Sequence, residues 1–338
     1  MAPTTNTRIV VARRGPPSTL RPIEEPLPVP GPGGVLVRVL AAGVAWADVM
    51  MREGVYPGTK FPLTPGYDIV GVIESGGGDA GFQPGDVVAA LTVRGGYSRY
   101  VALPATELVR VPAGLDAAEA VSLVLNYVTA YQMLHRCADL SEGDTILVHG
   151  AGGGVGTALL QLARLANIRA LGTASGGKAS LVTSLGATPI DYRTEDFVAR
   201  CRELCDGVAA VFDPIGGAQW KRSYAALRPS GTLVAYGAST VLSGGRFDLR
   251  SVLAFVASKP SFAPDRLLND GKTIAGYSIT QWKDGRPAAF RADLSHLLDL
   301  LAARTIEPVI AERIPLAEVA RAHELLGTAK VTGKIVLV

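Results

Sequence analysis

The stretch Thr145-Ile-Leu-Val-His-Gly-Ala-Gly-Gly-Gly-Val-Gly156 decides the fold of this chain. A short apolar run at residues 146–148 enters a glycine cluster, and a helical pattern of apolar residues follows at once over 159–166. The order strand, tight turn, helix is typical of a dinucleotide-binding unit, because glycines let the backbone approach a pyrophosphate and the helix N-terminus offers free N–H groups. The spacing is Ala151-x-Gly153-x-x-Gly156, with Ala at the first glycine position, so an ordinary strand–helix unit with a glycine-rich loop stays open as an alternative.

The residues after this turn indicate which dinucleotide is bound. A site that prefers NAD carries Asp or Glu about 20 residues further on, where it holds the ribose hydroxyls. No Asp or Glu occurs between Thr145 and Ile190. The second strand, at 168–173, is followed instead by Ser175 and Lys178, a hydroxyl and a cation that suit an extra phosphate. The pattern predicts NADPH as the cofactor. A solvated lysine at a helix start is the alternative reading of Lys178.

Length and composition set the class of protein. The 338 residues suffice for two domains, and 48% hydrophobic against 19% charged residues predicts a sizeable core. A net charge of +3 without a dense basic run gives no reason to expect nucleic-acid binding. No apolar stretch has the length of a membrane span, and the N-terminus lacks a secretion-signal pattern. We therefore expect a cytoplasmic protein that acts on a small molecule.

The cysteines and histidines do not predict a metal site. The cysteines are Cys137, Cys201 and Cys205, and the last two share one face of a predicted helix without further ligands. We interpret them as small apolar residues of a half-buried helix. None of the four histidines pairs with another at metal-ligand spacing. His149, at the end of the first cofactor strand, is expected to be structural or cofactor-adjacent.

The order of predicted elements indicates two domains. Residues 1 to about 120 are β-rich, with Pro and Gly clusters between short strands. Strands and helices then alternate in the order of a doubly wound parallel sheet. We predict an α/β fold in which a dinucleotide-binding domain at 123–261 is inserted into a β-rich domain of residues 1–122 and 262–338, with the active site in the cleft between them. The strands expected in the insert are 146–148, 168–171, 189–191, 208–212 and 232–236, with helices at 178–185, 195–205 and 218–227.

Six motifs are spread over nearly the whole chain: Gly43-Val-Ala-Trp-Ala-Asp48, Pro65-Gly-Tyr-Asp-Ile-Val-Gly71, Pro84-Gly-Asp86, Asn126-Tyr-Val-Thr-Ala-Tyr131, Ala151-Gly-Gly-Gly-Val-Gly156 and Gly333-Lys334. As a set they resemble the medium-chain dehydrogenase/reductase superfamily. Within it, the sequence is similar to the zinc-free quinone oxidoreductase branch, and to its vesicle amine transport protein group. The resemblance implies a Rossmann cofactor domain inserted in a GroES-like catalytic domain.

The same resemblance implies that this chain works without zinc. Members that use zinc have Cys, His and Cys where this chain has Ala45, Tyr67 and Leu125. None of these replacements offers a thiolate or an imidazole. The four-Cys structural zinc lobe expected after Asp86 is also missing. We therefore expect no metal, and hydride transfer from NADPH to quinones or α,β-unsaturated carbonyl compounds.

The resemblance also implies the residues of the site. Trp46, Tyr56 and Tyr67 would line an aromatic substrate pocket. Tyr56 is the candidate proton donor, and a loop aromatic that only shapes the pocket is its alternative; Asp48 is expected to be a structural cap. Lys334 is the weakest cofactor candidate. The cofactor contacts implied are Asn126, Thr129, Gly153, Gly154, Val155, Gly156, Thr173, Ser175, Lys178, Tyr192, Gly237, Tyr277, Ile279 and Lys334.

Two other functions are compatible with these residues. One is an enoyl reductase of a biosynthetic pathway, for which a basic rim would be expected and none is evident. The other is a non-catalytic NADPH-binding regulatory or scaffold protein, because no acid–base group is obvious. We also expect a homodimer, since a strand at 273–279 should form an exposed sheet edge that a second copy would pair.

Overall fold

A computed structural model gives the structure of this chain and describes residues 4–338. The strands, in chain order, are β1 (Thr5–Val11), β2 (Leu20–Pro26), β3 (Gly34–Val44), β4 (Asp68–Gly76), β5 (Val87–Leu91), β6 (Tyr100–Pro104), β7 (Val109–Arg110), β8 (Thr145–His149), β9 (Arg169–Ala174), β10 (Thr188–Asp191), β11 (Val208–Asp213), β12 (Leu227–Ala235), β13 (Leu242–Ser243), β14 (Arg246–Phe247), β15 (Thr273–Gly276), β16 (Ile310–Ile314) and β17 (Lys334–Leu337).

Helices alternate with these strands mainly in the middle and final parts of the chain. The α-helices are α1 (Trp46–Arg52), α2 (Ala117–Ser122), α3 (Val128–Gln132), α4 (Gly154–Leu165), α5 (Ala179–Ser184), α6 (Phe197–Cys205), α7 (Gln219–Ala226), α8 (Leu249–Ser258), α9 (Pro264–Asp270), α10 (Ile279–Gly285), α11 (Pro287–Ala302) and α12 (Val319–Gly327). Short 3₁₀ turns occur at Pro17–Thr19, Gly78–Ala80, Ala105–Glu107, Gly176–Lys178, Ser239–Val241 and Leu316–Glu318, and π-helical turns at Leu123–Tyr127 and Met133–Cys137.

The chain forms two compact units. The first comprises the chain up to Val128 with Gly244–Phe247 and Thr280–Val338, and the second comprises Thr129–Ser243 and Asp248–Ile279. The second unit is thus inserted into the first in sequence, which is the arrangement expected from the order of elements.

The second unit is built on a six-stranded parallel sheet with the order β10-β9-β8-β11-β12-β15. Every residue of β8 and β11 is buried, as expected for central parallel strands that are covered on both faces. The strand order reverses between β8 and β11, so their carboxyl ends form the switch point where such sheets bind ligands. The predicted doubly wound sheet is confirmed.

The first unit contains a seven-stranded, mostly antiparallel sheet with the order β16-β17-β3-β4-β5-β7, in which β6 also pairs with β3. A separate ribbon pairs β1 with β2. The long strand β3 carries two register shifts against β4, and each shift allows the strand to bend. This β-rich unit carries the residues expected to face the substrate.

The edge strand of the parallel sheet is shorter than predicted. It was expected at 273–279, but β15 ends at Gly276. The Tyr277 N–H still donates to the Ala235 carbonyl at 2.9 Å, and the chain then turns so that α10 begins at Ile279. Tyr277 and Ile279 are buried after this turn, and of the stretch 273–279 only Thr273–Gly276 lies at the sheet edge.

Among residues 4–338, no helix combines the length and the hydropathy that a membrane crossing requires.

Candidate functional site

The turn after β8 depends on two glycines, Gly150 and Gly156. Gly150 has a φ of +65°, which favours glycine. A Cβ on Gly156 would lie 2.3 Å from the Gly150 carbonyl oxygen, so only glycine fits there. Helix α4 begins at Gly154, and no side chain caps its first turn. The first turn of α4 therefore keeps N–H groups for an anion, which is what a dinucleotide pyrophosphate requires.

The alanine at the first glycine position is accommodated by a glycine on the neighbouring strand. Ala151 is fully buried, and its N–H donates to the Thr173 carbonyl at 3.0 Å. A Cβ on Gly172 would lie 2.7 Å from the Cβ of Ala151 and 3.0 Å from Val182. The methyl of Ala151 thus occupies the space that Gly172 leaves free, and the departure from the usual motif does not distort the turn.

A buried polar network ties the ends of β8, β9 and β11 together. His149 contacts the Thr173 hydroxyl through Nδ1 at 2.9 Å and the Ser223 hydroxyl through Nε2 at 3.1 Å. Ser223 donates to Asp213 at 2.6 Å, and Asp213 also accepts from the N–H groups of Ile215 and Gly216. The four side chains that form this network are all buried.

These partners determine the tautomer of His149. Burial lowers the pKa of His149 to about 4, so the imidazole is neutral at physiological pH. Because the single proton of Ser223 goes to Asp213, Nε2 of His149 must donate and Nδ1 must accept from Thr173. The Thr173 oxygen in turn lies 3.4 Å from the Gly150 N–H. His149 is a structural residue that fixes the glycine turn, in agreement with the sequence-based expectation.

Lys178 lies over the glycine turn. Its Cδ would be 2.8 Å from a Cβ on Gly152, so the aliphatic stem packs against that glycine. Burial lowers the pKa of Lys178 from its ordinary value, and a bound phosphate would counteract this by favouring the charged amine. The structure thus brings Lys178 to the loop that the sequence assigned to the pyrophosphate, next to Ser175 at the end of β9.

Sequence reasoning missed an acid near this position. Asp191 ends β10 and pairs in register with Ala174 of β9. Its carboxylate lies against Gly176, since Oδ2 would be 2.8 Å from a Cβ added there. Asp191 accepts from the Arg193 N–H at 3.0 Å. Tyr192, which follows it, is 54% exposed with the Arg193 guanidinium over its ring. The signal was available in the parallel pairing of the second and third strands, which places their carboxyl ends side by side.

The remaining predicted cofactor contacts lie on separate elements. A Cβ on Gly237 would lie 2.6 Å from the Pro214 carbonyl oxygen, so the chain after β12 passes close to the turn after β11. The Tyr277 hydroxyl donates to Gln132 at 2.8 Å, and Thr129 is buried on the same helix α3. Asn126 is buried in a π-helical turn, and Ile279 is buried at the start of α10. Their roles toward a cofactor stay predictions.

The aromatic residues of the first unit form a hydrogen-bonded pair. The hydroxyls of Tyr56 and Tyr67 are 2.7 Å apart, and the rings meet edge to face. Tyr67 is buried, whereas Tyr56 is partly exposed. The indole N–H of Trp46 is buried and has no hydrogen-bond partner among the described residues. A buried donor without an acceptor is costly, and a contact of Trp46 with a substrate stays a prediction.

Asp48 joins the two motifs that carry these aromatics. Its carboxylate accepts from the Ala45 N–H at 2.8 Å and from the Gly66 N–H at 2.9 Å. Complete burial raises the pKa of Asp48 to about 7, and the negative charge of Asp68 adds to the shift. The structure bears out a capping role for Asp48 at the start of α1.

Lys334 forms a buried ion pair. Its ammonium lies 2.9 and 3.2 Å from the two carboxylate oxygens of Asp68, and both residues are almost fully buried. A Cβ on Gly43 would lie 2.3 Å from Asp68 Oδ1 and 2.4 Å from Lys334 Nζ, so glycine is needed beside the pair. The geometry accounts for Lys334 as the partner of Asp68, and its assignment as a cofactor contact stays a prediction.

The resemblance implied that Ala45, Tyr67 and Leu125 replace zinc ligands, and the structure shows the surroundings of each. Ala45 is buried beside α1, Tyr67 is bonded to Tyr56, and Leu125 lies in a π-helical turn. Within residues 4–338, no group of three or more His, Cys, Asp or Glu side chains is arranged to hold a metal.

Comparison with known proteins agrees with this architecture. The alcohol dehydrogenase GroES-like domain family matches residues 31–113, and the zinc-binding dehydrogenase family matches residues 185–337. The synaptic vesicle membrane protein VAT-1 homolog of Rattus norvegicus is 35% identical over 316 residues, which is 92% of this chain and 78% of that protein. A quinone oxidoreductase of Pseudomonas aeruginosa is 33% identical over 98% of both chains.

The fold is also similar to that of a solved structure. The crystal structure of Escherichia coli quinone oxidoreductase complexed with NADPH has a TM-score of 0.85 to this chain, at 26% identity over 98% of this chain and 99% of that one. Together with the glycine turn, the inserted parallel sheet and the β-rich unit, these similarities show that the chain belongs to the medium-chain dehydrogenase/reductase superfamily, in its quinone oxidoreductase branch.

Proposed function

We propose that this protein is an NADPH-dependent reductase of quinones or α,β-unsaturated carbonyl compounds that works without zinc. The observation that carries the proposal is the position of Lys178 over the uncapped glycine turn. A cation beside an anion-binding helix start is the arrangement that an additional phosphate favours. The NADPH complex of the Escherichia coli enzyme and the quinone oxidoreductase name of the Pseudomonas aeruginosa relative support the same assignment.

The residues fit this cofactor. The α4 N-terminus would hold the pyrophosphate, and the contact between Gly156 and the Gly150 carbonyl would hold the turn in the tight shape that this binding needs. Ser175 and Lys178 would hold the adenosine phosphate, while Asp191 is engaged by the Arg193 N–H. NADPH supplies a hydride when it is bound. The chain itself would orient the acceptor and stabilise the negative charge that develops on its oxygen.

The zinc-free part of the proposal rests on side-chain chemistry. Ala45 offers only a methyl group in place of a thiolate. Tyr67 offers a phenol, hydrogen-bonded to Tyr56, in place of an imidazole, and neither group can serve as the zinc ligand that it replaces. Elemental analysis of the active protein tests this directly. Zinc in stoichiometric amount that is lost together with activity on chelation would contradict it.

Substitution of Lys178 tests the cofactor assignment. Loss of a charge-assisted phosphate contact removes about 1.5–3 kcal/mol, or roughly one to two decades in affinity. Lys178→Ala should therefore weaken NADPH binding by about this factor and NADH binding little. Lys221→Ala, which removes an exposed lysine on α7 of the same unit, is the matched control. Equal weakening of both cofactors by Lys178→Ala would refute the assignment.

We further propose that two copies associate through the second unit. The edge strand β15 offers unpaired backbone groups, and α8 presents Leu249, Leu253 and Val256 at i, i+4 and i+7, each more than half exposed. Both features suit a symmetric interface in which β15 of one copy pairs with β15 of the other and the apolar stripe of α8 is buried. Light scattering at micromolar concentration tests this, and a monomer would contradict it.

A further inference from the structure

Three hydroxyl groups of the first unit are linked in a row. Tyr56 and Tyr67 share a hydrogen bond of 2.7 Å, and the Tyr67 hydroxyl also bonds to the side chain of Thr280. Tyr67, in the middle, is buried, whereas Tyr56 and Thr280 at the two ends are partly exposed. Thr280 comes from the start of α10, far in sequence from the other two, and sequence analysis did not single it out.

The protonation of the middle hydroxyl limits how the hydrogen bonds of the row can be ordered. Burial keeps the Tyr67 hydroxyl protonated by raising its pKa well above the ordinary value. Its bond to Tyr56 adds to this rise in pKa, whereas its bond to Thr280 lowers the pKa. Each hydroxyl has one proton, and either oxygen of the Tyr56–Tyr67 pair can be the donor. A ligand that accepts from Tyr56 selects the order in which Thr280 donates to Tyr67 and Tyr67 donates to Tyr56. The proton of Tyr56 is then the one left for an external acceptor.

We propose that Thr280 and Tyr67 are positioning residues that hold Tyr56 as a hydrogen-bond donor to the carbonyl oxygen of an enone substrate. The inference rests on the proposed function and refines its substrate class. Reduction of an enone delivers a hydride to the β-carbon, the C=C electron pair shifts to form the C–C double bond of an enolate, and the C=O pair moves onto oxygen. The Tyr56 hydroxyl stabilises this oxygen anion; the α-carbon then takes a proton from water, the carbonyl re-forms, and NADP⁺ is the oxidised product.

The charge on the anion that forms explains why enones should depend on this row of hydroxyls, here called the relay, more than quinones do. The anion formed from a quinone is delocalised into an aromatic ring and needs little help from a donor, whereas an enolate oxygen carries concentrated charge. Each hydroxyl that donates along the row makes the next one a better donor. Tyr67 and Thr280 therefore act on the substrate only through Tyr56.

The test compares three variants that each remove one hydroxyl. Tyr56→Phe should lower kcat for enones by about 10²-fold or more. Tyr67→Phe and Thr280→Val should lower it by roughly 3- to 10-fold, which is the size of one weakened hydrogen bond. For each variant, the fall in kcat should be smaller for quinones than for enones, and the KM for NADPH should be unchanged. Tyr100→Phe, which alters another buried tyrosine of the same unit outside this row, is the control.

A binding measurement separates the relay from the proposed function. Para-nitrophenolate carries an oxygen anion that resembles the enolate, and para-nitroanisole is its neutral counterpart. Equilibrium dialysis of the cofactor-free protein should show that Tyr67→Phe weakens binding of the phenolate by roughly 3- to 10-fold and does not change binding of the anisole. If the wild-type protein reduces neither quinones nor enones, the proposed function is contradicted. If Tyr67→Phe nevertheless shows this binding pattern, the relay is still supported.

Two outcomes would overturn the relay. One is that Tyr67→Phe and Thr280→Val keep wild-type enone rates and wild-type phenolate affinity, which would make Tyr56 independent of them. The other is that Tyr67→Phe lowers the enone and quinone rates by the same factor, which is the signature of a merely structural side chain.

Discussion

Substitution of Lys334 distinguishes a structural ion pair from a cofactor contact. The ammonium lies 2.9 Å from Asp68, and the two side chains are 3% and 0% exposed. Lys334→Met preserves most of the volume but leaves the Asp68 carboxylate buried without a cation. Removing one partner of such a pair costs about 3–5 kcal/mol, because the remaining charge is uncompensated. We therefore expect the free energy of unfolding to fall by about this amount.

The measurement is urea unfolding followed by circular dichroism, with Lys330→Met as the control because Lys330 is exposed. The control should stay within about 0.5 kcal/mol of wild type. The double variant Asp68→Asn/Lys334→Met should recover at least half of the loss, since neither charge is then buried. NADPH affinity of the folded Lys334→Met protein should change by less than about twofold. Unchanged stability with a tenfold loss of NADPH affinity would refute the ion-pair account and support the cofactor role.

Three further predictions follow from the buried groups and the exposed stripe. Ser223→Ala should lower the free energy of unfolding in urea by about 2–4 kcal/mol, because it leaves the Nε2–H of His149 without an acceptor. The control Ser184→Ala, on the surface, should cost under about 0.5 kcal/mol. Burial raises the pKa of Asp48 to about 7, so its contribution to the free energy of unfolding is present below about pH 4 and is lost as the pH rises through 7. Asp48→Asn should remove this dependence of the unfolding free energy on pH, and an unchanged dependence would contradict the prediction. Leu253→Asp should convert the proposed dimer to a folded monomer in light scattering, and a dimer that persists would exclude the α8 stripe as its interface.

Local patterns were sufficient to predict most of the second unit. Strand β8, the glycine turn and α4 follow from apolar runs and glycines that are adjacent in sequence. Element ends were less predictable. Strand β15 was expected to reach residue 279, because the apolar residues Tyr277 and Ile279 continue its pattern, but they are buried after the chain turns. Burial by a turn and burial within a strand give the same sequence signal.

The site was predictable where a motif determines backbone geometry and unpredictable where distant side chains meet. The helix start at Gly154 could be read from the glycine spacing. The acid Asp191 could not be found by scanning the second strand, because it arrives on the third strand through parallel pairing. The bond between His149 and Ser223 spans 74 residues, and the link from Tyr67 to Thr280 spans most of the chain. Such contacts depend on tertiary packing that no local pattern encodes.

The most direct test of the central claim is NADPH oxidation at 340 nm by protein that has been treated with a chelator, with a panel of quinones and enones as acceptors. The account predicts acceptor-dependent oxidation that survives chelation, with kcat/KM for NADPH at least about tenfold above that for NADH. Absence of turnover with every acceptor would indicate a protein that binds NADPH without catalysis. Either that result, or turnover that depends on zinc, would contradict the account.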